Sequence, residues 1–180
     1  GSIPLRSKRH QPIPTRAHLL YLQHASWPRN WESTSVPLLE VEPKAYRFRI
    51  LNAANDRFFN LSLYEADPTQ VAADGRINTE VKIVGAAAAN WDANAYPLWP
   101  ADGRDPGVPD PTTMGPPFIQ VGTESGFLPR PVTIYSQPIG YFTDPTVFNF
   151  GNVKDKALLL GPAERADVVI DFSAWRGKTL

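Results

Sequence analysis

The chain has 180 residues, 42% hydrophobic and 11% aromatic, enough for one large domain with a buried core. Lysine plus arginine and aspartate plus glutamate both total 18, and that zero formal net charge speaks against a nucleic-acid or anionic-membrane partner, while no apolar run approaches the ~20 residues of a membrane span. Cysteine is absent, which excludes disulfides, thiol nucleophiles, Cys-bound zinc, iron–sulfur clusters and thiolate-bound blue copper within the chain.

Proline (19) outnumbers glycine (12), a density that interrupts helices and marks turns, sheet edges and rigid loops. Gly1-Ser2 reads as a cloning scar, and "IPLRSKRHQPIPTRA" (3–17) as an extended basic arm. "HLLYLQHASW" (18–27) is short and apolar and ends at Pro28, so it reads as a strand, followed by a loop over 28–37. In "LLEVEPKAYRFRILNAAN" (38–55) a Glu-Pro-Lys turn leads into a strand where Tyr46, Phe48 and Ile50 alternate with Arg47 and Arg49. "DRFFNLSLYEAD" (56–67) is the next strand, with Phe59, Leu61 and Leu63 opposite Asn60 and Ser62. "EVKIVGAAAAN" (80–90) is a weaker strand.

Residues 90–116, "NWDANAYPLWPADGRDPGVPDPTTMGP", form a long Pro/Asp/Gly-rich excursion with neither helical nor strand period. Such a stretch inside a domain is usually functional, ordered by partners, or an insertion, and Trp91, Tyr96 and Trp99 give it something to pin against a surface. "PFIQVGTESGFLP" (117–129) reads as strand, Gly-bounded turn and a short apolar recovery; "RPVTIYSQP" (130–138) follows, then a loop through Phe150. "KALLLGPAERADVVIDFSAW" (156–175) is strand, Gly-Pro turn and strand, with Val168, Ile170 and Phe172 on one face. Short strands separated by turn chemistry predict an antiparallel sandwich or barrel.

Motifs that carry chemistry are scarce. His10, His18 and His24 form no H-x-H, H-E-x-x-H or H-x₃-H pattern. His18 and His24 would lie roughly 20 Å apart along one strand, too far to share a metal ion. No G-x-S-x-G elbow exists, "TESG" (123–126) being the nearest approach, and no phosphate-binding glycine motif is present. Glu164, Arg165 and Asp167 form the densest charge cluster, of a kind that fixes strand register. Arg47 and Arg49, with Arg57 beyond the corner, present either an anion grip or plain sandwich surface; nearby N–H groups or a helix N-terminus, which an anion site needs, are not evident. Asn60 opens an N-L-S sequon inside a strand, where acceptors are often unused. No residue is assigned a catalytic, cofactor-binding or metal-ligating role.

Three segments in order, "LLEVEPKAYRFRILNAANDRFFNLSL" (38–63), "FIQVGTESGFLPRPV" (118–132) and "LLLGPAERADVVIDFSAWRGKTL" (158–180), resemble the multicopper oxidase family. The resemblance is to the bilirubin oxidase, spore-coat laccase and phenoxazinone synthase branch, and specifically to its second cupredoxin-like domain. It implies an all-β, cupredoxin-like Greek-key sandwich or barrel with long Pro-rich loops over 38–180, with an insertion loop about 90–116; residues 1–37, outside the resemblance, read as an arm or linker in which 18–27 is the candidate strand. It also implies that copper, in the type 1 and trinuclear centres of the parent protein, is held by the first and third domains, with none bound to this chain.

Flanking cupredoxin domains are then the partners, a small aromatic substrate is the parent's, and the chain itself is a structural spacer, inactive alone. Trp91, Tyr96 and Trp99 are candidate substrate-rim or interdomain contacts. The parent is expected to be secreted or at a spore or cell surface, and the chain, stopping at Leu180, to be a fragment. Departures from the family pattern are "ESTSVP" (32–37) in place of its usual turn, the longer connection over 64–117, and Glu124-Ser125 where Asp-Gly is usual, which predicts loss of a φ > 0 position. The alternative is a stand-alone β-sandwich that binds or supports without redox activity.

Overall fold

The computed structural model describes Arg16–Ala17 and residues 39–72 and 75–180. Among them the strands, in chain order, are β1 (Arg16–Ala17), β2 (Leu39–Glu40), β3 (Ala45–Leu51), β4 (Phe59–Leu61), β5 (Ile83–Val84), β6 (Val108–Pro109), β7 (Phe118–Thr123), β8 (Gly126–Ile134), β9 (Leu158–Leu160) and β10 (Arg165–Asp171). Helical structure among the described residues is limited to single 3-10 turns at Ala88–Asn90 and Pro111–Thr113. The strand expected at 18–27, the loop at 28–37 and the three histidines lie outside the described residues; the end of the N-terminal arm, β1, pairs antiparallel with β2.

The main sheet has the order β3-β10-β7-β8, every neighbour antiparallel. β10 is its centre because the alternation read in 165–171 is strict: Ala166, Val168 and Ile170 are buried, while Arg165 and Asp171 are exposed. β3 follows suit, with Tyr46, Phe48 and Ile50 turned inward and Arg47, Arg49 and Leu51 outward. β4 and β9 form a separate antiparallel pair whose Leu61, Leu158 and Leu160 close on the inner face of the main sheet. The core they share includes Phe118, Val168, Ile170 and Phe172. Phe172 meets the Phe48 ring edge-on at 6.2 Å between centroids. This all-β arrangement of antiparallel sheets is the cupredoxin-like sandwich class that the sequence predicts.

The short recovery expected after the 124–125 turn is instead one nine-residue strand, β8, that runs through Pro129 and Pro131. It can do so because β8 is at the sheet edge, where a missing N–H breaks no ladder bond on the open side. Neither Glu124 nor Ser125 stands at positive φ; the left-handed residue of that turn is Gly126, at φ +119°, directly after them.

Residues 64–117 build a second, smaller core. Tyr64, Ala86, Trp99 and Val108 are buried there, with Val81, Val84, Trp91, Tyr96 and Met114 packed against them. Of the strand predicted over 80–90, Ile83–Val84 form β5, which pairs with β6. Gly107 makes that pairing possible: it sits at φ +119°, and a Cβ there would lie 2.2 Å from the Val84 carbonyl oxygen. The 90–116 excursion is irregular in backbone but ordered by burial.

Candidate functional site

The outward face of β3 and β10 holds the two arginines that raised the anion question. Asp167 lies directly across from Arg49 in the ladder, yet its carboxylate is taken by the diagonal neighbour Arg47. Arg47 Nε donates to Oδ1 at 2.7 Å and Nη2 to Oδ2 at 2.5 Å, a forked pair, while Arg49 Nε stays 3.9 Å from Oδ2. The Arg47 guanidinium also covers the Phe127 ring at 5.4 Å. The Arg47 hydrogen bond holds the Asp167 carboxyl below its usual range, with the charges of Arg47 and Arg49 adding to it. Nearby, Glu124 accepts from the Arg165 backbone N–H at 3.2 Å, and its own backbone N–H and that of Arg165 keep it ionised. These residues border an open groove of about 410 Å³. Its carboxylates are pushed down rather than up, so neither is poised to move a proton near neutral pH. Arg47 is committed to Asp167. The face is a cross-strand ion-pair surface.

The Asn-rich corner after β3 is a structural joint. Asn52 is fully buried, and its Nδ2 donates to the Arg57 carbonyl at 2.6 Å and the Leu160 carbonyl at 3.0 Å. Its Oδ1 accepts from Ala54 N at 3.0 Å, and its backbone exchanges bonds with Glu164 and Ala163. One amide therefore ties the corner to the β9–β10 turn. Glu164, from the charge cluster seen in the sequence, completes that turn by accepting from Gly161 N at 2.5 Å. Asn60 is half-buried within β4, its amide oxygen enclosed without a hydrogen-bond partner among the described residues.

Trp91, Tyr96 and Trp99 are brought together in the second core. Trp99 is buried, its Nε1 donates to the Pro109 carbonyl at 2.8 Å, and its ring stands edge-on to Tyr96 and Tyr64. Trp91 and Tyr96 are half-buried. What these aromatics pin is first of all their own loop. Burial pushes the Tyr64 hydroxyl up, partly opposed by a hydrogen bond with Ser62, so it remains protonated. Asp110 closes the loop: it is buried, accepts from Thr112 N at 2.9 Å and Oγ1 at 2.7 Å, and pairs with Lys82 at 2.7 Å. Burial raises its carboxyl, but the Lys82 and Thr112 hydrogen bonds outweigh that and hold it below the ordinary range.

Arg104 fastens the excursion to the segment after β8. Its Nε and Nη2 fork onto Asp102, its Nη1 donates to the Ile139 carbonyl at 2.7 Å, and its guanidinium lies 5.8 Å from the Tyr141 ring centroid. Beyond Tyr141, a hairpin carries Val147, Phe148, Phe150 and Val153 in exposed positions, Phe148 completely so. Sequence reasoning passed over these residues as loop. A signal was present: "PTVFNFGNV" (145–153) holds two phenylalanines and no charge.

Among the described residues no three His, Cys, Asp or Glu side chains converge in a way that could hold a metal ion. With no cysteine in the chain, its side chains do not fit a thiolate-bound blue-copper site. Nor is any helix among the described residues long and apolar enough to cross a membrane.

No family model matches the chain. Two curated proteins are similar to it. A laccase from Bacillus subtilis (strain 168) is 28% identical over 144 residues, and a laccase from Bacillus stratosphericus is 29% identical over 144 residues. In both, the match takes in 80% of this chain but 14% of the laccase, so the chain spans only a small part of the relatives it matches.

Proposed function

The chain is related to the multicopper oxidases through these laccases, and from that premise we propose that it is a copper-free, central cupredoxin-like domain of a larger oxidase of this kind. The observation that carries the reading is the similarity to two laccases over 80% of this chain and 14% of theirs, in a stretch that folds as antiparallel β-sheets. The parent would oxidise phenolic or similar substrates one electron at a time and deliver four electrons to dioxygen, giving water. Copper ligands would come from the rest of the polypeptide, and this domain would space the copper-bearing units. Trp91 and Tyr96, half-buried on the ordered 90–116 loop, keep surface to offer a substrate rim or a neighbouring domain. Trp99 contributes by holding that loop in shape.

Metal analysis of the purified chain after incubation with copper tests this directly. The expected outcome is far less than one copper per chain, no blue-copper absorption and no oxidation of a phenolic dye. Tight one-to-one copper overturns the copper-free reading. A natural reading frame that encodes no His-x-His or His-Cys-His element on either side of the chain overturns the oxidase parent and leaves a stand-alone binding or structural module.

A further inference from the structure

The hairpin from Tyr141 to Val153 combines three properties rarely found together on a free surface. It is apolar at its tip, where Val147, Phe148 and Phe150 are exposed, and uncharged from Pro145 to Val153. It is also rigid. Phe142 N donates to Asn152 O at 3.0 Å, and Gly151 N returns to Phe142 O at 2.8 Å. Within the loop, Phe150 N donates to Val147 O at 3.1 Å, and Asp144 anchors the near end by accepting from Thr146 N at 2.9 Å and Oγ1 at 2.7 Å. Gly151 at φ +80° lets the chain reverse. An exposed aromatic tip costs solvation, and a preformed one loses little conformational entropy on docking, which is the profile of an interface anchor.

We propose that this hairpin tip is the seat of a neighbouring folded unit of the same longer polypeptide, which receives Phe148 and Phe150 in an apolar recess. The proposal rests on the reading that the chain is one domain of a larger protein, and it adds which surface makes the contact. The laccases supply the need for such a surface, since the matched stretch is 14% of their length and the remainder must pack somewhere. A second copy of this chain is the poorer occupant. Symmetric pairing needs a surface that complements itself, and a projecting tip needs a hollow. The groove on the β3–β10 face holds Leu51 and Phe127 but is rimmed by Arg47, Arg49 and Asp167, and the one between the excursion and the hairpin base sets Leu98 beside Asp102, Arg104 and Lys154. A phenylalanine seated in either would strip water from those charged groups. Absence of charge on the tip further selects a partner that buries area rather than one that pairs ions.

The test places the photocrosslinking amino acid p-benzoylphenylalanine at position 148 in the full-length parent polypeptide and maps the products by mass spectrometry. Crosslinks to peptides of the same polypeptide outside this chain are expected. Crosslinks between identical segments of two copies, or only uncrosslinked product, overturn the proposal. A second measurement guards against a misfolded variant. Phe148→Ser with Phe150→Ser should leave the melting midpoint of the isolated chain within about 1 °C, yet lower that of the parent by roughly 2–4 °C or more. Equal shifts in both overturn it. If the parent binds copper and yet gives no crosslink, the docking assignment alone fails; if the natural reading frame has no flanking copper motif, the oxidase reading fails first.

Discussion

Replacing Asn52 with Asp keeps the side chain's shape and the acceptor that Ala54 uses, but deletes the donors that hold the Arg57 and Leu160 carbonyls. It also places a carboxylate at a position with no exposure. Two buried acceptors lose their partner at ~1–3 kcal/mol each, so Asn52→Asp should lower unfolding free energy by about 2–4 kcal/mol in urea titration. A change under about 0.5 kcal/mol would show that the corner does not depend on this amide. The sequence made the corner visible through its run of Asn and Ala, and its polar residues invited a binding role. What it could not reveal is that the amide's partners come from residue 57 and, more than a hundred positions later, residue 160. Arg47 teaches the same lesson. Its outward direction was readable from the period of two, but its commitment to Asp167 depends on a strand that arrives late in the chain.

Strand β10 is the element whose inner and outer faces were most fully legible, and it invites a contrast. Ile170 is buried at the centre of the core, whereas Val169 is half-buried on the opposite face. Ile170→Ala should cost about 2–5 kcal/mol, through lost burial and the cavity left behind, and Val169→Ala roughly 1 kcal/mol or less. Comparable losses, measured by chemical denaturation, would contradict the assigned faces. The excursion over 90–116 was less legible. Its composition has no period, because its order comes from packing Trp99 against Tyr64 and Val108 and from the Asp110–Lys82 pair rather than from a regular backbone. The sequence divided the β8 stretch between Pro129 and Arg130; position at a sheet edge is what lets Pro129 and Pro131 sit within one strand.

For the whole molecule, acid stability follows from the sign of the carboxylate shifts. Asp67, Asp102, Asp110, Asp144, Asp167 and Asp171 all sit below their ordinary value of 3.8 when folded, and Glu42 and Glu124 below 4.5. In the unfolded chain they regain those values, so at low pH the unfolded state binds protons first. The stabilisation they provide is therefore complete above the ordinary carboxylate range and is lost as pH falls through the depressed folded values. Midpoints measured between about pH 6 and about pH 2 should fall on acidification, with the steepest loss below about pH 4. Asp110→Asn should be less stable than the unsubstituted chain at neutral pH and approach it in acid, since protonation of Asp110 then removes the charge facing Lys82 and Thr112 that the substitution has already removed. A difference that persists unchanged into acid would mean that the carboxylate's charge is not what stabilises the loop.

The sequence by itself determined the class of the fold and which residues of a strand share a face, because strand alternation is a local property: each residue's face is set by its neighbours two positions away. It also carried the resemblance to the multicopper oxidases and excluded thiolate chemistry outright. Only the tertiary structure decided what the polar and aromatic residues do. It bound Arg47 to Asp167, gave Asn52 its structural joint, buried Trp99 within its own loop and left Phe148 in the open. A side chain's hydrogen-bond partner and its exposure depend on segments that are distant in sequence, and no local pattern encodes which of them will arrive beside it.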